Sequence, residues 1–159
     1  VCEAGKGLIL GFNKWDNMDE YDRSQLKDQL ERQCEFVSWA RRYFLSALHG
    51  TGVGKLYRAI DEAYASANKD ISTSDITRVL EQATKDHQPP LASGRRIKLR
   101  YGHVGGHHPL IFILHGKQLD KLAHSYRRYL ANYFRKAFEL KGIPVILRYK
   151  TDDNPYKKK

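Results

Sequence analysis

Residues 8–16 read LILGFNKWD, a short continuous apolar run that ends in the tetrapeptide Asn-Lys-Trp-Asp. An apolar run of this length predicts a strand that is buried on both faces, as in a parallel sheet. Residues 19–36 then predict a helix, 41–47 a second strand and 55–67 a second helix, with a polar loop after each strand. This alternation predicts an α/β segment, and ligands of such sheets bind at the carboxyl ends of the strands.

A glycine-rich loop at 49–54, followed by Lys55, has the composition of a phosphate-binding loop but not its spacing. The pattern GxxxxGK[ST] requires a glycine at position 49 and a hydroxyl residue at position 56, where this chain has His49 and Leu56. We therefore predict an ordinary turn that closes the second strand.

The tetrapeptide after the first strand has the chemistry of a guanine-recognition loop. The Asp16 carboxylate can accept hydrogen bonds from N1–H and the 2-amino group of guanine, which adenine does not present. Asn13 can tie neighbouring loops together, and the loop after the next strand can offer a backbone N–H to the O6 atom of the base. The same tetrapeptide also occurs in ordinary turns, but its position after a buried strand favours the functional interpretation. The candidate guanine contacts are Asn13, Lys14, Trp15, Asp16, Ser46, Ala47 and Leu48.

Charge divides the chain into two parts. Residues 91–159 carry sixteen Lys+Arg and four Asp+Glu, a net of +12, whereas residues 1–90 carry twelve and fourteen, a net of −2, and the sum is the +10 of the chain. Solubility of a small domain requires a net charge of only ~2–8. The excess predicts an anionic partner for the second half, and the two prolines at 89–90 mark the seam.

The second half predicts an α+β unit with a three-stranded sheet. We expect a helix from 72, an alternating strand at 96–101, a Gly/His loop at 102–108, a strand at 110–114, a helical region at 118–141 and a strand at 145–150. The Tyr and Phe residues between 126 and 138 predict the buried face of the helical region. Basic residues on the strands and along one side of the helix are the candidate RNA contacts: Arg96, Lys98, Arg100, Lys117, Lys121, Arg128, Arg135, Arg148 and Lys150.

Each half of the chain resembles part of a known protein family. NKWD, followed about thirty residues later by FLSALHGTGVGKL, resembles the fourth and fifth guanine-recognition motifs of the translation-factor-like P-loop GTPases. The stretch from Asp86 to Lys150 resembles the C-terminal, KH-like domain of the bacterial tandem-GTPase ribosome-assembly family called EngA or Der. The resemblance implies that residues 1–70 are the C-terminal part of a second GTPase domain and that 71–159 are a KH-like RNA-binding domain.

The resemblance also implies ligands and partners. They are GTP or GDP with Mg²⁺, the ribosomal RNA of the large subunit, and the protein's own GTPase domains. The chain contains no phosphate loop, no switch threonine and no Asp-x-x-Gly element, and phosphoryl transfer depends on such parts. We therefore expect the chain to be the last third of the second GTPase domain plus its appended domain, with no bound nucleotide and no GTP hydrolysis of its own. The alternative is a stand-alone basic KH-like RNA-binding module without nucleotide chemistry.

The sequence does not favour a Gly-x-x-Gly mode of RNA binding, a metal site, a membrane span or a disulfide framework. Ordinary KH domains hold RNA with a Gly-x-x-Gly loop between two helices, and no such pattern directly joins two predicted helices here, so phosphate contacts are the expected mode of binding. His103, His107 and His108 have no Cys or carboxylate among them, and we predict no metal site. No apolar stretch reaches the ~20 residues of a membrane span. With only Cys2 and Cys34 in the chain, we expect a reducing cytoplasm rather than a disulfide framework.

Overall fold

The computed structural model describes residues 4–92 and 94–151, which form two compact units. The first unit contains the described residues up to Asn68 together with Leu140–Pro144, and the second contains Lys69–Glu139 and the described residues from Val145 onwards. A simple division at residue 70 therefore differs from the structure at residues 140–144. Cys2 and the three terminal lysines lie outside the described residues.

Residues 140–144 join the first unit through buried side chains and backbone hydrogen bonds. Leu140 and Ile143 are each 3% exposed. The backbone N–H of Leu8 donates to the Gly142 carbonyl at 2.8 Å, and the N–H of Lys141 donates to Ser66 Oγ at 3.0 Å. Sequence periodicity does not report such a long-range return of the chain.

The first unit has the predicted α/β order. Its elements are β1 (Ile9–Phe12), α1 (Glu20–Gln33), β2 (Arg41–Phe44) and α2 (Val53–Ala67). Strands β1 and β2 are parallel, with Ile9 opposite Arg41 and Phe12 opposite Phe44. The carboxyl ends of both strands therefore lie at one edge of the sheet, where the two polar loops follow.

The helix boundaries in the first unit have local causes. Helix α1 begins after Asp19, whose side chain accepts a hydrogen bond from the Asp22 backbone N–H at 2.8 Å. It ends at Gln33, before the predicted residue 36, because the chain tightens into a 3₁₀ turn at Glu35–Val37. Gly52 precedes α2 with φ 80°, and a Cβ there would lie 2.8 Å from the Phe44 carbonyl oxygen, so the turn requires glycine.

The second unit has the predicted α+β order of helices and main-sheet strands, and it also contains a two-stranded ribbon that was not predicted. Its elements are α3 (Thr73–Asp86), β3 (Leu91–Ala92), β4 (Arg95–Arg96), β5 (Lys98–His107), β6 (Leu110–Lys117), α4 (His124–Ala137) and β7 (Ile146–Thr151). Strands β3 and β4 form a small antiparallel ribbon. The main sheet has the order β5-β6-β7, antiparallel between β5 and β6 and parallel between β6 and β7.

The predicted Gly/His loop at 102–108 is wrong, because strand β5 continues to His107 and turns at His108-Pro109 through a cis peptide bond. The regular alternation predicted for 96–101 is also interrupted. Register shifts lie between Leu99 and Tyr101 and between Val104 and Gly106. A bulge adds a residue to one strand, so a strand with two bulges loses the period of two that identifies it in a sequence.

The helical region predicted at 118–141 is shorter and begins later. Gln118 has φ 61°, a 3₁₀ turn covers Leu119–Lys121, and α4 starts only at His124. Leu119 is 0% and Leu122 is 5% exposed, so these apolar side chains fill the core from a turn rather than from a helix. Lys121 therefore does not lie on α4 beside Arg128, contrary to the prediction.

The core of the second unit lies between the helices and one face of the main sheet. The rings of Phe112 on β6 and Phe134 on α4 have centroids 5.2 Å apart, and both side chains are 0% exposed. Helix α3 approaches β5 at Gly102, where a Cβ would lie 2.7 Å from Leu114 Cδ2 and 2.8 Å from Ile76 Cγ2. The helices thus cover one face of the sheet and leave the other to the candidate site. None of the described helices is long and apolar enough to cross a bilayer.

Candidate functional site

A single side chain joins the two loops that follow β1 and β2. Asn13 Oδ1 accepts a hydrogen bond from the Lys14 backbone N–H at 2.8 Å and from the Ala47 backbone N–H at 2.9 Å. This places Asn13 in the bridging role inferred from the sequence. The Ala47 amide is used in this contact, so the second loop is held by the first.

Asp16 lies on the same loop with its carboxylate held ionised. A hydrogen bond from the Ser46 hydroxyl is the main cause that lowers the pKa of Asp16, and the charges of His49 and Arg23 act in the same direction. The distance from Asp16 Oδ2 to His49 Nε2 is 3.5 Å. Ser46 is 3% exposed and the Asp16 side chain is 23% exposed, so a buried hydroxyl orients a partly exposed carboxylate. An ionised, oriented carboxylate is the acceptor that guanine recognition requires.

Trp15 anchors the loop after β1 on residues at the end of β2. Its ring centroid lies 4.1 Å from that of Phe44, and its backbone N–H donates to the Leu45 carbonyl at 3.1 Å. Arg23 on α1 donates from Nη2 to the Trp15 carbonyl at 3.0 Å, and its Cζ lies 5.2 Å from the ring centroid. Lys27 Nζ lies 5.6 Å from the same ring. These contacts give Trp15 a positioning role.

The sequence did not identify Arg23 or His49. Arg23 lies on α1, and nothing in the local sequence reports its contact with the Trp15 carbonyl. The backbone of Lys14 is in the left-handed region, with φ 65°, and the Leu48 side chain is 83% exposed, so the roles of these two residues stay predictions. The turn predicted for the glycine-rich loop is confirmed, since the Ser46 backbone N–H donates to the Thr51 carbonyl at 2.9 Å.

The second candidate site is the uncovered face of the main sheet. Residues directly opposite one another in a sheet share a face, and successive residues alternate between faces. Because Phe112 and Leu114 point into the core, their neighbours on β6 point to the other side. The register then places seven polar or aromatic side chains together, which we name the basic sheet face: Lys98, Tyr101, His103, His115, Lys117, Arg148 and Lys150.

Cationic side chains on this face are close neighbours. Lys98 on β5 is directly opposite Lys117 on β6, and Lys150 on β7 is opposite His115. Lys98, Lys117, Arg148 and Lys150 are all exposed. Like charges directly opposite each other destabilise a sheet, and an anion bound between them removes that penalty. The arrangement suits the phosphates of a nucleic acid.

An aromatic stack runs beside these cations. The rings of Tyr101 and His115 are 4.5 Å apart with an interplanar angle of 4°, and His103 lies 5.2 Å from His115. Tyr101 is 43% exposed. Aromatic side chains of this kind stack on unpaired bases in many single-strand-binding proteins. This stack could not be predicted from the sequence, because the alternation of apolar and polar residues does not show the bulge that aligns Tyr101 with His115.

The other predicted RNA contacts lie elsewhere. Arg96 belongs to the β3–β4 ribbon, Arg100 is the extra residue at the first bulge, and Lys121 lies in the 3₁₀ turn. Arg128 and Arg135 lie on α4, which covers the opposite face of the sheet. Burial lowers the pKa of Arg135, whose Nη1 donates to Asn132 Oδ1 at 2.7 Å. The structure thus divides the predicted contacts between two sides of the unit.

The histidines do not form a metal centre. Among residues 4–92 and 94–151, no three His, Cys, Asp or Glu side chains come together in a group that could hold a metal ion. His103 belongs to the stack on the basic sheet face, whereas His107 ends β5 and His108 lies in the turn.

Comparison with known proteins identifies the family to which the chain belongs. The model of the KH-domain-like region of EngA bacterial GTPase enzymes, C-terminal, matches residues 71–150. The chain is 53% identical over 156 residues to GTPase Der of Coxiella burnetii (strain Dugway 5J108-111), covering 98% of this chain and 35% of that protein. It is 51% identical over 156 residues to GTPase Der of Acinetobacter baumannii (strain AYE), covering 98% of this chain and 33% of that protein.

The chain spans about a third of the length of these curated relatives. The residues matched by the family model include all strands of the sheet that carries the basic sheet face. The matches to the two relatives also include the two loops that Asn13 joins. These findings confirm the resemblance drawn from the sequence motifs. The chain belongs to the EngA family of bacterial GTPases, in which it includes the C-terminal KH-domain-like region.

Proposed function

We propose that this chain is the C-terminal part of a GTP-binding factor that acts in large-subunit ribosome assembly in the bacterial cytoplasm, and that the guanine nucleotide controls its binding to ribosomal RNA. Residues 1–70 supply the guanine-contacting loops of a second GTPase domain, and residues 71–159 bind ribosomal RNA. The basic sheet face is the observation that carries the RNA-binding part. The family membership and the relatives named GTPase Der support the GTP-binding part.

The guanine contacts follow from the two joined loops. Asp16 accepts from the base, Asn13 holds the Ala47 backbone in place, and Trp15 fixes the loop on Phe44. Lys14, Ser46 and Leu48 complete the proposed set. The sequence contains no GxxxxGK[ST] pattern, so the phosphates and Mg²⁺ would be held by residues outside it, and we expect no GTP hydrolysis by the chain alone.

RNA binding is proposed to use phosphates first and unpaired bases second. Lys98, Lys117, Arg148 and Lys150 neutralise phosphates, and the stack at Tyr101 and His115 offers an aromatic surface next to them. Phosphate contacts position a protein on RNA without reading sequence. The remaining predicted cations on the helix side, including Arg128 and Arg135, are assigned to outer RNA contacts or to the protein's own GTPase domains.

The experiment that tests this proposal is the salt dependence of binding to large-subunit ribosomal RNA. We expect the double variant Arg148→Ala/Lys150→Ala to bind more weakly and to reduce the slope of log K against log salt by about 1.5, since each phosphate contact contributes ~0.7–0.9. The matched control is Lys85→Ala/Lys136→Ala, which removes the same charge from exposed positions of the helices. Equal losses in the two double variants would show that only net charge matters, and the assignment of the face would be abandoned.

A further inference from the structure

A cavity of about 700 Å³ lies between the last turn of α3 and helix α4, away from the basic sheet face. Tyr126, Tyr129 and Tyr133 line it from α4, and Asp86 and His87 line it from the end of α3. The sequence predicted all three tyrosines as core residues. Tyr126 is 3% exposed, whereas Tyr129 and Tyr133 are only half-buried and open onto the cavity.

The aromatic rings form one continuous wall. The centroid of His87 lies 5.8 Å from that of Tyr126 and 5.2 Å from that of Tyr129, and Tyr129 lies 5.7 Å from Tyr133. The faces of such rings carry partial negative charge and attract cations.

The hydroxyl protons of the three tyrosines are all used inside the protein. Tyr126 donates to the His87 carbonyl at 2.7 Å, Tyr129 to the Ala83 carbonyl at 2.8 Å and Tyr133 to Asp86 Oδ2 at 2.6 Å. Each phenol oxygen therefore has only acceptor capacity left for a ligand. Burial raises the pKa of Tyr126 to about 12, and the hydrogen bond to Asp86 raises the pKa of Tyr133 to about 12, so both stay neutral phenols.

The charge of the cavity lining also favours a cationic ligand that donates hydrogen bonds. Its described lining includes one carboxylate, Asp86, and no Lys or Arg, although the unit around it is strongly basic. The cavity also meets the C-terminal end of α3, where the helix dipole favours a cation. Ser125 and Gln88, which complete the polar lining, can donate or accept. A wall of π faces, acceptors and one negative charge is complementary to a flat cation with many N–H groups.

We propose that this cavity binds the arginine side chain of a partner protein. A guanidinium group is planar, stacks on aromatic rings and presents five N–H donors, whereas an ammonium group is compact and strongly hydrated. A nucleotide base would bring its phosphate close to Asp86, which repels it.

The test is a titration of the full chain with N-acetyl-arginine methylamide, followed through the ring NMR signals of Tyr126, Tyr129 and Tyr133. We expect saturable shifts confined to these rings and His87. The neutral isostere N-acetyl-citrulline methylamide is expected to bind about 5-fold more weakly or less, because it lacks the charge that the rings and carboxylate select. The lysine derivative is expected to be weaker than the arginine derivative.

Two variants locate the site. Asp86→Asn is expected to reduce arginine affinity by about 5-fold, whereas Glu81→Gln, which removes one charge from an exposed position of the same helix, leaves it unchanged. Equal binding of arginine and citrulline, or equal effects of the two variants, would overturn the proposal. Saturable shifts of the same rings with guanosine at lower concentration than with arginine would also overturn it and would identify a nucleobase pocket instead.

Discussion

Asn13 and Asp16 lie in the loop that follows β1. The bridging role of Asn13 and the guanine contact of Asp16 were both inferred from the donor and acceptor groups of the side chains, and the guanine contact stays a prediction. The structure adds the contacts that hold them: Ala47 for Asn13, and the buried Ser46 hydroxyl for Asp16. Arg23, which donates to the Trp15 carbonyl, could not be predicted because its contact depends on how α1 packs.

Replacing Asp16 by Asn tests guanine recognition at the residue scale. In the full-length protein that we propose, Asp16→Asn should weaken GDP binding by about 100-fold, since two charge-assisted hydrogen bonds are lost. The amide can instead donate to a carbonyl at C2, so binding of xanthosine diphosphate should improve. Isothermal titration with both nucleotides measures the change. Unaltered preference for GDP in the variant would refute the role of Asp16.

Tyr126 gives a prediction for alkaline pH. Burial raises its pKa to about 12 from an ordinary value of 10.0, so the folded state favours the neutral phenol. Its stabilising contribution is complete below pH 10 and is lost as the pH rises from 10 to 12, at no more than ~1.4 kcal/mol per pH unit.

Urea unfolding followed by circular dichroism at pH 8, 10, 11 and 12 measures this effect. Tyr126→Phe should be less stable at pH 8 by ~1 kcal/mol, because the bond to the His87 carbonyl is lost. The free energy of unfolding of the variant should then fall less steeply above pH 10 than that of the wild type. Parallel curves for the two proteins would rule out Tyr126 as a source of the alkaline loss.

At the scale of elements, the order of the helices and main strands was predictable, but the β3–β4 ribbon and several boundaries were not. Glycines and histidines at 102–108 are typical of loops, yet those at 102–107 lie in β5 because bulges and the partner strand β6 accommodate them. The region 118–121 was assigned to a helix because its leucines continue the apolar spacing. Burial of Leu119 from a 3₁₀ turn satisfies the same spacing without a helix.

The close approach of α3 to β5 at Gly102 gives a prediction about packing. Gly102→Ala places a methyl group 2.7 Å from Leu114 Cδ2 and 2.8 Å from Ile76 Cγ2, so the helix must move from the sheet. We expect a loss of ~1–3 kcal/mol in the free energy of unfolding. Gly106→Ala on the same strand is the matched control, because its nearest contact would be an ordinary 3.6 Å and its effect should stay within ~0.5 kcal/mol. Equal losses for both variants would contradict the packing described for Gly102.

At the scale of the whole molecule, the sequence gives the net charge, and the structure locates the charged side chains among the residues that it describes. The +12 of residues 91–159 was evident from counting, but its division between a sheet face and a helix side required the register of β5, β6 and β7. The chain also passes between the two units three times, after Asn68, Glu139 and Pro144. The first and second units are therefore joined by three covalent connections.

The central claim is that a guanine nucleotide controls RNA binding by the KH-like unit. The most direct measurement is the affinity of the full-length protein for large-subunit ribosomal RNA, in saturating GDP and in a saturating non-hydrolysable GTP analogue. We predict affinities that differ by about 5- to 150-fold, the usual range of coupling between two sites. The difference should disappear when Arg148 and Lys150 are replaced by Ala. Identical affinity in the two nucleotide states, with both nucleotides shown to be bound, would contradict the account.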